Sequence, residues 1–293
     1  MEDREREYRV GLKGLVGIKK YFPLFVLPTL AAFTVSFIIP FLMGIYLSFN
    51  KFTTVENAKW AGFDNYVRAF TNNDFLNALW FTVLFTIVSV VTVNIFAFLL
   101  AAALTKSIRG TNIFRTIFFM PNLIGGIVLG YIWNLIINGV LSYFGVDISF
   151  DAKYGFWGLV ILTNWQLIGY MMVIYIAGLQ NIPRDLNEAA EIDGATSWQS
   201  LKNVTIPMLM PSVTICTFLT LTNSFKLFDQ NLALTAGAPG RKTAMLALDI
   251  YNTFYGRAGW QGVGQAKAVI FFLIASLIAF AQLKFTSGKE VES

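Results

Sequence analysis

The sequence predicts an all-α membrane protein with six transmembrane helices and both termini in the cytoplasm. Three observations carry that expectation. The 293 residues are 56% hydrophobic and only 13% charged, with a mean hydropathy of +0.60, too apolar for a water-soluble domain of this length. Apolar runs recur at about 22–49, 77–104, 115–138, 155–180, 207–228 and 262–285, each matching the roughly 20 residues a helix needs to cross about 30 Å of hydrocarbon. The basic residues between these runs fall unevenly, thirteen on one side and seven on the other.

The elements follow in order. Residues 1–21 form an N-terminal tail in which Arg4, Arg6, Arg9, Lys13, Lys19 and Lys20 mix with acids. The apolar run behind it far exceeds the roughly 7–15 residues of a removable signal core, so the mature protein is expected to keep it. With the tail inside, the inner connections add Lys106, Arg109, Arg115, Arg184, Lys202, Lys284 and Lys289. The outer side holds Lys51, Lys59, Arg68, Lys153, Arg241, Lys242 and Arg257, and this excess of inner positive charge sets the orientation. Residues 22–285 are one membrane domain containing a polar segment at 184–207, and 286–293 form a short cytoplasmic tail. Two outer connections, 50–76 and 229–261, are long and rich in aromatics, Asn and Gly. Long loops in compact proteins are commonly functional; these either meet a partner or only tie helices together.

Several chemistries are excluded early. There is no histidine, and the single cysteine, Cys216, lies inside an apolar run, so no metal site, thiol catalysis or disulfide framework is expected. The net charge of +5 is accounted for by bases flanking the spans and implies no nucleic acid. No G-x-x-x-x-G-K-[ST] phosphate loop occurs. No cofactor is expected in this chain, and it is not expected to be an enzyme.

The segment EAAEIDGATSWQSLKNVTIP, residues 188–207, is polar and interrupts two apolar runs. Asp185 with Glu188 has capping-box spacing, predicting a short helix over Leu186–Asp193 that Gly194 ends in left-handed conformation. Thr196 with Gln199 predicts a second helix to about Asn203, and Pro207 opens the fifth span. Two-turn helices need something to pack against. Acidic Asp185, Glu188, Glu191 and Asp193 with small Ala189 and Ala190 suit docking to a cytoplasmic partner, and an ordinary amphipathic connection is the alternative.

The same residues resemble a family. Glu188-Ala189-Ala190, three residues, Gly194, nine residues, then Val204-Thr205-Ile206-Pro207 is similar to the EAA-x3-G-x9-I-x-L-P signature of the membrane subunits of binding-protein-dependent ABC importers. Val204 and Ile206 stand for the usual Ile and Leu. YLSFNKF with GFDNYVRAF (62–70), RGTNIFRTIFFMPNLI (109–124) and LTAGAPGRKTAMLALDIYNTFY (234–255) look like other stretches of the sugar-type subfamily, in order, closest to its maltose- or glycerol-phosphate-type first permease. The resemblance implies a type I importer fold in a bacterial inner membrane. It implies coupling through Glu188, Ala189, Ala190, Asp193, Gly194, Val204, Ile206 and Pro207 to a dimeric ABC ATPase that binds ATP and magnesium. A second homologous permease, an extracellular solute-binding protein, a sugar or oligosaccharide and membrane lipid complete the implied partners.

A substrate path is read from polar residues inside spans, which are costly there and face a cavity or another helix. Thr163, Gln166 and Tyr170 share one face of the fourth span, with Asn164 and Trp165 beside it; Thr217, Thr220 and Ser224 repeat that spacing in the fifth, with Asn223 adjacent. Hydroxyls, amides and aromatic faces suit a sugar, while interhelical hydrogen bonding is the competing use. Lys226 and Asp229 are expected to pair with each other, leaving a cavity free of Lys and Arg that favours a neutral sugar over glycerol-phosphate or another polyol-like solute. A self-sufficient secondary transporter would need ionisable groups within the spans, and only Lys226, Asp229 and Lys267 lie near one, each toward an end.

Overall fold

The computed structural model describes residues 21–106 and 110–287. Expected tail residues 1–20 and 288–293, with the bases Arg109 and Lys289, lie outside them. Five helices among the described residues are long and apolar enough to cross a membrane, and a sharply bent pair makes the sixth.

The first is α1 (Tyr21–Ser48), which holds one π turn at Thr34–Ile38. A small antiparallel hairpin follows, β1 (Asn50–Lys51) against β2 (Lys59–Trp60), with Asn50 opposite Trp60. Asn65, in the short helix α2 (Asp64–Phe70), fixes this turn by donating from Nδ2 to the Ser48 and Asn50 carbonyls, both at 2.9 Å. The second span, α3 (Asn73–Thr105), starts under an Asn72 cap whose Oδ1 accepts from the Phe75 amide at 2.9 Å.

The third span is not the continuous helix expected over 115–138. Over that run the chain forms α4 (Thr111–Phe119), a 3₁₀ turn at Met120–Leu123 and α5 (Gly126–Leu141), and it is the last, continued to Phe144, that is long and apolar enough to cross. Pro121 has no amide hydrogen to continue the helical ladder, and the chain restarts after Gly125. The fourth span, α6 (Ala152–Gln180), is the most enclosed: two thirds of its apolar window is buried, at 67%.

The short helix α7 (Arg184–Ile192) leads into α8 (Ser197–Met208), which bends by 69° into α9 (Met210–Phe225). Pro207 therefore lies inside α8 and does not open the fifth span. Pro211 sits in the first turn of α9 instead, where its missing amide hydrogen breaks the ladder at the bend. The chain closes with α10 (Asp229–Leu234), α11 (Leu246–Gly256) and the sixth span α12 (Gln261–Ser287).

The centre of the bundle is α3, α6 and α9, packed through Val93, Ala97, Met171, Tyr175 and Cys216. One chain of polar side chains crosses this core. Tyr175 donates to Asn94 Oδ1 at 2.8 Å, Asn94 donates to Thr220 Oγ1 at 3.4 Å, and Thr220 donates to the Cys216 carbonyl at 2.8 Å. At the far end of the bundle from α7, helix α10 rests on α5 because Gly126 and Gly130 present no side chain; a Cβ at Gly130 would stand 2.7 Å from the Ala233 Cβ.

Candidate functional site: a coupling segment and a polar cavity

The segment 184–207 forms an exposed helix–turn–helix at one end of the bundle. Pro183 occupies the N-cap position of α7, so the helix starts earlier than expected and the Asp185–Glu188 capping box does not form. Asp185 stands in the first turn, where its charge favours the positive end of the helix dipole. The end of α7 follows expectation. Gly194 adopts φ +76°, its amide donates to the Glu191 carbonyl at 3.0 Å, and the Ala195 amide donates to the Ala190 carbonyl at 2.9 Å. This pair of bonds closes the helix in a Schellman turn that needs a left-handed residue at its second-last position.

The Thr196–Gln199 capping box is formed: the Thr196 amide donates to Gln199 Oε1 at 2.7 Å, and the Gln199 amide donates to Thr196 Oγ1 at 3.4 Å. Ser200 Oγ donates to Asn187 Oδ1 at 3.4 Å and joins the two helices. Glu188, Ala189, Asp193, Gly194 and Ile206 are exposed, while Ala190, Val204 and Pro207 are half-buried. Two apolar side chains that motif reading passed over stand out in this hydrophilic setting, Ile192 at 86% and Trp198 at 69% exposure. Their signal lay in the pattern, since each is a large apolar residue in an otherwise polar stretch.

The second feature is a cavity of about 600 Å³ where α6, α9 and α10 meet the break in the third span. It gathers four of the seven residues expected along a substrate path: Thr163, Gln166 and Tyr170 from α6, and Asn223 from α9. The other three are placed differently. Thr220 and Ser224 are fully buried between helices, Thr220 within the Asn94–Cys216 network, and Thr217 is half-buried away from the cavity wall.

The break supplies Asn122, and the start of α10 supplies Phe228, Asp229 and Gln230, none of which a stripe along one helix could reveal. Gln230 donates to Gln166 Oε1 at 2.8 Å, and Gln166 in turn reaches the Ile124 carbonyl at 3.4 Å. Thr163 Oγ1 is buried in the wall without a hydrogen-bond partner.

Lys226 and Asp229 do not pair. Helix α9 ends at Phe225 and α10 begins at Asp229, so the two residues share no helical face, and both line the cavity without an ion pair among the described residues. The expectation of a cavity free of Lys and Arg is corrected accordingly. Lys267, expected toward a span end, is fully buried in the packing of α12 against α11.

A bundle of six apolar spans with an exposed helical elbow at one end and a polar cavity inside defines a multi-pass membrane component of a transport system. The chain belongs to the family of binding-protein-dependent transport system inner membrane components, whose model matches residues 107–286. It is 45% identical over 278 residues to the probable starch degradation products transport system permease protein AmyD of Thermoanaerobacterium thermosulfurigenes, covering 92% of this chain and 94% of that one. It is 29% identical to the trehalose/maltose transport system permease protein MalF of Thermococcus litoralis, over 89% and 92% of the two chains. Its fold matches a chain in the crystal structure of a bacterial ABC transporter that imports the acidic polysaccharide alginate, with a TM-score of 0.77 at 20% identity over 94% of this chain and 98% of that one. The expected type I importer architecture is the one observed.

Proposed function

We propose that this chain is one of two membrane permease subunits of an ATP-driven carbohydrate importer in a bacterial inner membrane. The observation that carries the reading is the chemistry of the cavity: amides at Asn122, Gln166, Asn223 and Gln230 with aromatic rings at Tyr170 and Phe228. Sugars offer hydroxyls to the first set and a C–H face to the second. The relatives named above for starch products and for trehalose and maltose agree with it.

In this reading the elbow 184–207 is the contact with a separate ATPase that binds ATP and magnesium. The acidic face of α7 and the exposed Ile192 and Trp198 supply the docking surface, and the Gly194 turn fixes the angle between its two helices. Closure of the ATPase dimer moves the elbow, and the bundle rocks between inward-open and outward-open states. A solute-binding protein delivers sugar at the opposite end.

The test is purification of the chain from mildly solubilised native membranes, with companions identified by mass spectrometry and ATPase activity measured with candidate sugars and their binding protein. A second permease and an ATPase should co-purify, and Gly194→Pro should lose the sugar-stimulated ATPase while inserting normally, because proline can neither adopt the positive φ nor donate to Glu191. Recovery of the chain alone, without ATPase activity, would sink the proposal.

A further inference from the structure

We propose that Lys226 and Asp229 form a balanced charge filter in the cavity, in which Asp229 cancels the pull of Lys226 on anionic saccharides and leaves recognition to neutral hydroxyls; this rests on the carbohydrate reading above. The two are the charged side chains lining the cavity, one of each sign, and both are exposed to it. The ion pairs among the described residues lie elsewhere, such as Asp74 with Arg241 and Arg257, or Asp249 with Lys267.

That separation matters. A bonded Lys–Asp pair presents little net field and few free hydrogen-bonding positions, whereas these two leave an ammonium and a carboxylate free along the wall. The ammonium donates to sugar oxygens and the carboxylate accepts from sugar hydroxyls, so a neutral polyol uses both. A uronate or a phosphorylated sugar gains attraction from Lys226 and meets repulsion from Asp229, and the two contributions offset each other. The amide ring around them, with Gln230 already committed to Gln166, recognises hydroxyls and is indifferent to net charge.

Sequence spacing alone suggests a self-neutralising pair. The end of α9 at Phe225 is what prevents it, because the intervening Leu227 and Phe228 turn the chain before α10 starts.

The test uses the complete transporter in lipid nanodiscs and compares maltotriose with trigalacturonate, two trisaccharides of similar size, the first neutral and the second anionic, by saturation-transfer NMR at millimolar concentration. Asp229→Asn should raise the ratio of trigalacturonate to maltotriose affinity about tenfold by leaving Lys226 unopposed, and Lys226→Gln should lower it by a similar factor. Shifts of opposite sign from two near-isosteric changes are a signature that general damage to the cavity does not produce. Co-purification of the ATPase with each variant checks assembly. If wild type binds maltotriose and neither variant moves the ratio, the filter is wrong and the carbohydrate reading stands. If wild type binds no maltotriose, both fall together.

Discussion

Lys267 and Asp249 form a fully buried ion pair, Nζ to Oδ2 at 2.7 Å with side-chain exposures of 0% and 2%. The ammonium also donates to Thr253 Oγ1 at 2.9 Å and to Asn72 Oδ1 at 3.4 Å, and it stands 5.2 Å from the centre of the Phe75 ring. Asn72 caps α3, so a single cation joins the start of the second span, the helix α11 and the sixth span. Lys267→Met leaves a carboxylate buried without a counter-charge, a loss of about 3–5 kcal/mol. Lys267→Met with Asp249→Leu removes both charges and is expected to recover most of that. Thermal unfolding of the purified chain in detergent measures it, and a single variant no worse than the double would show that the pair is not the tie described.

Close approach of α4 to α6 depends on one glycine. A Cβ on Gly169 would run into the Phe118 carbonyl, which is backbone and cannot rotate away. Gly169→Ala should therefore cost about 2–3 kcal/mol, at the upper end of overpacking effects. Gly139, in α5 with open space where its Cβ would be, is the control, since Ala there has the better helix propensity by up to about 1 kcal/mol. Equal unfolding temperatures for the two variants would contradict this packing.

The exposed pair Ile192 and Trp198 carries a prediction for coupling. An apolar side chain that is 86% exposed in a polar helix has no role in the chain's own core. Ile192→Asp and Trp198→Ala should leave membrane insertion and thermal stability within about 0.5 kcal/mol, as surface changes usually do, yet reduce the ATPase recovered on co-purification. Undiminished recovery from both variants would remove these residues from the docking surface.

Much of the bundle was legible because span number is a matter of solvent: apolar length alone counts crossings, and four of the six runs read from sequence became single helices. The path within a run is a matter of hydrogen bonding. Met120-Pro121-Asn122 and Pro207-Met208-Leu209-Met210-Pro211 are too short to interrupt an apolar run of about 20 residues, so hydropathy passed through both, while the missing proline amides broke the helix in the third run and bent the fifth. The Gly194 turn and the Thr196 box were readable because each is settled within four residues. The Asp185 box failed for an equally local reason, the helix having begun at Arg184 behind Pro183.

The cavity lining was half legible: the stripe on α6 contained Thr163, Gln166 and Tyr170, which line it, whereas the same spacing on α9 gave Thr220 and Ser224, which face neighbouring helices. Spacing identifies residues on a common face and leaves open what that face meets. Asn122, Phe228 and Gln230 arrive from a helix break and a helix start, and their meeting depends on the tertiary fold.

The unpartnered Thr163 hydroxyl separates stability from function. Its Oγ1 is buried without a hydrogen bond in a residue that is 1% exposed. An unsatisfied buried hydroxyl costs about 1–3 kcal/mol, and valine keeps the shape while removing the polar atom. Thr163→Val should leave the unfolding temperature in detergent unchanged or higher. Sugar-stimulated ATPase activity should fall several-fold, because valine removes a hydrogen-bonding group from the cavity wall that a sugar hydroxyl can engage. A variant that is less stable and transports normally would assign the hydroxyl to packing, with no part in recognition.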